Sequence, residues 1–422
     1  MNKTPSFIAY TAATLVWVAV CVMSTPLAAT QIRASTDRLG TAGVSQYNLR
    51  IGNLRLGMTG TMSAEWSDNI NYSDEGANEV SSWSYVPQLT LDAYWPLNPH
   101  VQISSGIAVG YRYYSDEDAE NDWFVSGSGG QLFAEIISGQ FRFDDTRITF
   151  RDTFSREIDT LDVAVVGNTE DYAINRNTLE LIYSKALNPR MTGSAQYAHV
   201  NAWTDSDTYE YQDNVRDSID VLLLYRLLKS LQVGPYARWE SIRFTENIRN
   251  DRTSYEVGLH STGSYKVGSA VSWSASIGYE QIAVDSSNNP AADDEEGNLS
   301  TNFNIHVSPI NWPGHRFRLS YDREHENLNP AVNYSDQFLI GYGLDFRVLS
   351  DLLFRADIDW MNIEESDGGE SAQLIRLWIR TSYNLTPRTT VGGGYRLTHK
   401  DSDVDGREYI QNMVHVDLTH RF

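Results

Sequence analysis

The chain has 422 residues and a formal net charge of −22 at neutral pH. This acidic balance argues against a nucleic-acid partner, because phosphate backbones bind basic surfaces. The only cysteine, Cys21, lies in an amino-terminal apolar segment, so the rest of the chain can form neither a disulfide nor a cysteine-based metal site.

Residues 1–29 predict a secretory signal peptide. Lys3 gives a basic start, residues 7–23 form an apolar core, and Leu27-Ala28-Ala29 offers small residues for cleavage. An uncleaved helical anchor is the alternative. No other apolar run reaches the ~18–20 residues of a membrane helix, so a mature chain that crosses a membrane would do so with strands. Residues 30–53 have no clear period and are interpreted as a periplasmic lead-in, or as a strand that the pattern does not define.

Residues 54–97 contain the clearest structural signal. From Leu54 to Trp66 and again from Trp83 to Leu97, apolar side chains alternate with polar ones, which is the period of a strand with one apolar and one polar face. Each run exceeds the ~9–11 residues that a tilted strand needs to cross a bilayer. Tryptophans stand near the ends of these runs, where an indole ring favours the membrane interface. We expect a transmembrane β-hairpin with an outer loop between Ser67 and Ser82.

The remaining chain repeats this layout. Short turns containing Pro, Gly or Ser are predicted at residues 97–100, 187–190, 313–315 and 385–388, with weaker ones near Gly139, 229–230, 268–269 and 350–351. Polar, acidic stretches lie between them, at residues 115–122, 204–213, 285–298, 364–370 and 401–408. Short turns on one side and long loops on the other are typical of an outer-membrane barrel. The predicted fold class is therefore all-β, a transmembrane antiparallel up-and-down β-barrel over residues 54–422 with about 18 strands, or 16 as the alternative.

Two details refine the strand assignment. Pro87 and Pro235 lie inside predicted strands, where each removes a ladder donor, so we expect bulges or shifted boundaries there. The last strand alternates from Val414 to a terminal aromatic residue, Phe422. It resembles the closing strand of bacterial outer-membrane proteins, whose aromatic carboxyl terminus is read by the barrel-assembly machinery, although His420 departs from the usual apolar residue.

The start of the barrel also resembles a known group. Leu54-Arg55-Leu56-Gly57, followed by the segment Glu65 to Ile70 with its Asp68-Asn69 pair, is similar to the opening strand of largely uncharacterised outer-membrane β-barrel porin families. Residues 147–157 are similar to a mid-barrel strand of the same group. The resemblance implies an outer-membrane barrel without catalytic residues. Some relatives are linked to exopolysaccharide export.

If the apolar face contacts lipid, the alternate face lines a lumen. The predicted pore-lining arginines are Arg112, Arg147, Arg151, Arg226, Arg238, Arg318, Arg347, Arg355, Arg376, Arg380 and Arg396. The carboxylates predicted on the same face are Glu65, Asp92, Asp220, Glu240, Asp322, Asp345, Asp357, Asp359 and Asp417. Opposed rows of charge across a constriction select solutes by size and sign. The alternative interpretation is that neighbouring Arg and Asp residues pair and stiffen the wall.

No catalytic, cofactor or metal site is predicted. The nine histidines show no ligand spacing, and Asp401 to Gly406 matches only the first half of a calcium loop, with Asn412 where Glu is required. The sequence therefore favours a bacterial outer-membrane, porin-like passive channel for small hydrophilic solutes. The expected partners are outer-membrane lipid, lipopolysaccharide and the barrel-assembly machinery. The alternatives are a component of exopolysaccharide export with a periplasmic partner, a structural or adhesive barrel, and a barrel-embedded enzyme.

Overall fold

The structure is a computed structural model that describes residues 47–70, 72, 79–98, 100–115, 122–126, 134–143, 145–158, 173–205, 207–246, 249–267, 269–285, 295–309, 313–324, 334–366 and 369–422. The predicted signal peptide and residues 30–46 of the predicted lead-in lie outside this range. Among the described residues, no helix is long and apolar enough to cross a membrane.

The chain forms antiparallel strands joined by turns and loops, with one short 3₁₀ helix at Asp207–Gln212. The strands are β1 (Leu49–Ile51), β2 (Leu54–Ser67), β3 (Ser82–Asn98), β4 (Val101–Tyr114), β5 (Asp122–Ser126), β6 (Ala134–Phe143), β7 (Thr146–Ile158), β8 (Ala173–Asn188), β9 (Met191–Thr204), β10 (Asn214–Leu228), β11 (Leu231–Phe244), β12 (Asp251–Val267), β13 (Ser269–Asp285), β14 (Glu295–Pro309), β15 (Gly314–Glu324), β16 (Ser335–Arg347), β17 (Leu352–Glu365), β18 (Ser371–Thr386), β19 (Thr389–Ser402) and β20 (Tyr409–Arg421).

The sheet closes on itself. Apart from β5 and β6, which do not pair with each other, each strand from β2 onward pairs with its sequence neighbours, and β20 pairs with β2 to complete the ring. Strands β5 and β6 occupy one position between β4 and β7, and β1 pairs only with the start of β2. The described strands therefore form an 18-stranded wall. This confirms the predicted up-and-down barrel and the count of 18 rather than 16.

The alternating pattern decides which side chains face outward. In β3, Trp83, Leu89, Leu91 and Trp95 are 44–47% exposed, whereas Ser84, between Trp83 and Tyr85, is 4% exposed. Side chains diverge on the convex surface of a barrel and crowd together on the concave one, so the exposed apolar series is the outer face. A continuous exposed apolar belt is favourable only against lipid. The hairpin of β2 and β3 is therefore confirmed, with its apolar residues outside.

Turns and loops follow the predicted division, with two corrections. The predicted turn near Gly139 is wrong, because Gly139 of β6 pairs with Phe150 of β7, and β6 continues to Phe143 before β7 begins at Thr146. The polar stretch 285–298 is also shorter as a loop than predicted, since β14 already begins at Glu295. Glycine alone does not end a strand when both neighbouring ladders continue past it.

The expectation of bulges at the two prolines was wrong. On either side of Pro87 the β3–β4 ladder keeps one register, from Tyr85↔Tyr113 to Gln88↔Gly110, and only the pairs between them are missing. The β10–β11 ladder skips Pro235 in the same way. Each proline keeps its pairing with the strand on its other side, so the lost donor affects one ladder and requires no shift of register.

The first and last strands meet along a reinforced seam. Beyond the end of the β2–β20 ladder, Asp68 Oδ1 accepts from the Asn412 backbone N at 2.6 Å and Oδ2 accepts from Asn412 Nδ2 at 2.6 Å. Asn69 Nδ2 donates to the Ile410 carbonyl, and Gln411 Nε2 donates to the Asn69 carbonyl at 2.8 Å. We call Asp68, Asn69, Gln411 and Asn412 the seam clasp. The Asp-Asn pair noted in the sequence thus extends barrel closure past the strands.

The opposite end of this seam holds the carboxyl terminus. The Phe422 N–H donates to the Met58 carbonyl at 3.1 Å, and the Phe422 ring packs over Gly60. The ring also meets the His420 ring edge-on at 5.0 Å. His420, which departs from the usual closing pattern, therefore contributes to the packing of the terminal aromatic ring.

Candidate functional site: the inner face of the barrel

The structure places every predicted pore-lining residue on the concave face. These positions alternate with the exposed apolar belt and pair across strands with other inward residues; they are Arg112, Arg147, Arg151, Arg226, Arg238, Arg318, Arg347, Arg355, Arg376, Arg380, Arg396, Glu65, Asp92, Asp357 and Asp359. They are spread around the whole ring, so the structure brings only some of them together.

The densest group lies on β15 to β18. Arg318 Nη2 donates to Asp359 Oδ1 at 2.7 Å, and Arg316 Nη2 donates to Asp357 Oδ1 at 2.8 Å. Both pairs reach from β15 to β17 across the intervening strand β16. Such a reach is short only on the concave side, which supports the assignment of this face to the lumen.

Two glycines make these contacts geometrically available. Gly341 and Gly343 of β16 pair directly with Asp359 and Asp357. A Cβ built on either glycine would overlap the facing aspartate Oδ1 and crowd the arginine that reaches over the strand. Because Gly341 and Gly343 have no Cβ, each aspartate carboxylate can lie against the β16 backbone beneath an arginine.

Further contacts join this group into one network. Asp345 accepts from Arg355 Nε at 2.5 Å and lies 3.1 Å from Arg316 Nε, while Arg380 Nη2 lies 3.5 Å from Asp357. We call Arg316, Arg318, Arg355, Arg380, Asp345, Asp357 and Asp359 the arginine lattice. Its arginine side chains are 29–41% exposed, and its aspartate side chains are 11–22% exposed. On the concave face, the positively charged side chains of the lattice are therefore more exposed than its negatively charged side chains.

An aromatic residue adjoins the lattice on the same face. The Arg380 guanidinium lies 4.0 Å from the centre of the Trp378 ring, a cation–π contact. The His415 ring meets the Trp378 ring edge-on at 6.4 Å. This part of the wall therefore combines cations with a flat apolar surface.

A second group lies on β10 to β14 and is more acidic. Glu256 is 7% exposed and accepts from the Tyr236 hydroxyl at 2.6 Å and from the Ser300 hydroxyl. Arg238 lies between Asp220, at 2.6 Å, and Glu256, at 3.4 Å. Cβ atoms on Gly258 and Gly278 would overlap the Tyr236 side chain, so these glycines let the phenol lie along the wall.

Other predicted residues form local pairs or stand apart from both groups. Arg151 donates to Glu180 at 2.7 Å on β7 and β8, with both side chains largely buried. Asp92 lies over Gly106, the residue that it pairs with on β4. The Arg151–Glu180 pair fits the interpretation in which neighbouring opposite charges pair and stiffen the wall.

Three charged residues with contacts on the concave face were not predicted from the sequence: Arg316, Glu180 and Glu256. Arg316 shares the strand and parity of Arg318, so strict alternation would have found it. No sequence signal pairs Glu256 with Tyr236, because that contact depends on strand register.

Charged side chains link the end of β19 to the residues around the start of β18 and to the β19–β20 loop. Lys400 and Glu370 are 0% and 1% exposed and lie 2.6 Å apart, with Arg407 at 3.2 Å from the same carboxylate. Asp403, in the partial calcium motif, accepts from the Ser371 backbone N at 2.8 Å. In the described part of the chain, no three His, Cys, Asp or Glu side chains form a group that could hold a metal.

Neither a protein-family model nor a curated protein matches this chain. Solved structures do match it. OpdQ from Pseudomonas aeruginosa aligns with a TM-score of 0.51 at 10% identity, covering 88% of this chain and 100% of OpdQ. OccAB2 from Acinetobacter baumannii aligns with a TM-score of 0.50 at 10% identity, covering 87% and 98%. This chain has the fold of an outer-membrane porin.

The porin fold agrees with the closed ring, the exposed apolar belt and the charged concave face. It confirms the predicted fold, an antiparallel up-and-down barrel of the outer-membrane type. A bacterial polysaccharide outer-membrane secretin also covers 88% of the chain, but its TM-score of 0.37 carries no argument for the export alternative.

Proposed function

We propose that this porin-fold barrel is a passive channel for small hydrophilic solutes and that the arginine lattice sets its charge preference. The observation that carries the proposal is the difference in exposure between the two signs of charge. Within the lattice, the Arg318 side chain is 41% exposed, whereas the Asp357 and Asp359 side chains are 11% and 14% exposed.

Partly exposed guanidinium groups on the inside of a closed barrel require water beside them. A charge without water or a full set of partners costs several kcal/mol, roughly, in a dry interior. Arg238 and Arg318 retain 49% and 41% of their side-chain exposure on the concave face. A hydrated lumen supports a channel function better than a structural or adhesive one.

The preference for anions follows from the recessed carboxylates. An ion that passes the lattice meets projecting guanidinium groups first, since the aspartates lie flat against Gly341 and Gly343. Guanidinium groups bind carboxylate and phosphate groups with two parallel hydrogen bonds. The acidic group around Glu256 lies on other strands, so the lumen carries opposed charges that orient a polar solute.

Single-channel recording in planar bilayers tests this function. The unmodified barrel should conduct steadily and show a reversal potential that favours anions under a salt gradient. Replacing Arg318 and Arg355 with Gln should shift the reversal potential toward cations, and the shift should shrink at high salt because screening weakens lumenal charge effects. Arg388→Gln in a short turn is the matched control and should leave selectivity unchanged.

Two results would contradict the proposal. A folded barrel without steady conductance would favour the export alternative and its periplasmic partner. An anion preference that survives loss of both arginines would show that the lattice only stiffens the wall.

A further inference from the structure

A polar cluster faces outward on β9 to β11. We call Tyr197, His199, Asp217 and Arg243 the outer-face cluster. Their side chains lie on the same face as Ile219, which is 44% exposed on the apolar belt. Asp217 and Arg243 lie within four residues of the loop ends of β10 and β11, and Tyr197 and His199 lie further from the loop, towards the middle of β9. The pore-lining residues have the opposite parity, so this cluster is separate from the channel.

Three donors converge on Asp217. Its Oδ1 accepts from the Tyr197 hydroxyl at 2.8 Å and contacts His199 Nδ1 at 2.9 Å, and its Oδ2 accepts from Arg243 Nη2 at 2.9 Å. The Asp217 side chain is 17% exposed, while those of His199 and Arg243 are 37% and 59% exposed. The Asp217 carboxylate therefore holds the His199 ring and the Arg243 guanidinium in fixed positions on the outer face.

The position of the outer-face cluster along the membrane normal limits what can surround it. Toward the loops, Trp203 packs against Phe154 with ring centres 6.0 Å apart, and toward the membrane centre Ile219 and Val221 are exposed. A charge facing lipid costs about 2–4 kcal/mol at the bilayer midplane and about 0–1 kcal/mol near the interface. Aromatic rings mark interfaces. The cluster therefore lies just on the membrane side of these aromatic rings, close to the interface rather than at the midplane.

We propose that the outer-face cluster binds a phosphate group of an outer-leaflet lipid, of the phosphorylated glycolipid class. Asp217 accepts from one nitrogen of Arg243, whose guanidinium carries five N–H donors in a planar fork suited to phosphate. The Nε2 atom of His199 is the second group that can contact the ligand. Tyr197 and Asp217 fix both groups and so reduce the entropy that binding would otherwise cost.

Native mass spectrometry of delipidated, detergent-solubilised protein tests the site. The probes are diphosphorylated lipid A, dephosphorylated lipid A and inorganic phosphate. Unmodified protein should retain diphosphorylated lipid A and release the dephosphorylated form. The double substitution H199Q and R243Q should weaken retention at least about tenfold, the loss expected for one charge-assisted hydrogen bond. Arg243→Lys should restore part of the binding, and Arg388→Gln should match the unmodified protein.

Channel conductance and heat-dependent migration on gels verify that each variant is folded, because neither depends on the outer face. Equal retention of phosphorylated and dephosphorylated lipid A would overturn the proposal, as would retention that H199Q and R243Q leave unchanged. Saturating binding of inorganic phosphate that displaces no lipid would assign the site to free phosphate instead. Loss of a dimer in the double variant, with lipid retention intact, would assign it to contact with a second copy.

Discussion

The seam clasp allows a quantitative test of barrel closure. Asp68→Ala removes two hydrogen bonds to Asn412, each 2.6 Å long, and leaves the backbone bond from Asp68 N to the Asn412 carbonyl in place. A hydrogen bond to a charged group contributes about 1.5–3 kcal/mol, and half-burial places these two at the low end. We therefore expect a loss of about 2–4 kcal/mol in the free energy of unfolding.

Urea unfolding of the barrel in lipid vesicles, followed by tryptophan fluorescence, measures this loss. With a slope of about 2–3 kcal/mol per M, the midpoint should fall by about 1 M. Asp68→Asn keeps an acceptor for the Asn412 N–H and should lose less. Asp403→Ala is the matched control, because Asp403 accepts a backbone N–H from Ser371 in a loop away from the seam. A shift for Asp68→Ala no larger than that of Asp403→Ala would refute the role of the clasp in closure.

Three further changes test other parts of the barrel. Gly341→Ala should displace the Asp359 carboxylate and reduce the anion preference, since a Cβ overlaps Oδ1; an unchanged reversal potential would contradict the recessed geometry. Lys400→Met should lower the unfolding free energy by about 3 kcal/mol, because Glu370 at 1% exposure loses its nearest cation; urea midpoints measure this, and a neutral result would mean that the loop admits water. Deletion of Phe422 should reduce the amount of folded barrel in the outer membrane, measured by heat-dependent migration, because it removes both the proposed assembly signal and the packing on Gly60; normal levels would exclude both roles.

Several features could be predicted from the sequence alone because they depend on the alternation of apolar and polar residues and on the positions of turn-forming residues. Alternation between Leu54 and Trp66 determines which side chains share a face, whatever the partner strand. The terminal alternation toward Phe422 and the short turn at residues 387–388 likewise depend on local sequence. The sidedness of Arg318 and Asp359 follows from the same parity, although their role in the lumen remains a proposal.

The tertiary structure decided which inward residues meet. Arg318 contacts Asp359 two strands away only because the registers of β15, β16 and β17 align both with Gly341, and a shift of one residue would turn every side chain to the other face. Closure of the ring likewise brings Asp68 to Asn412, although the two lie at opposite ends of the chain. The alternation of apolar and polar residues specifies, within one strand, which side chains share a face. Strand register and barrel closure are instead properties of paired strands, and those pairings depend on the free energy of the whole ring.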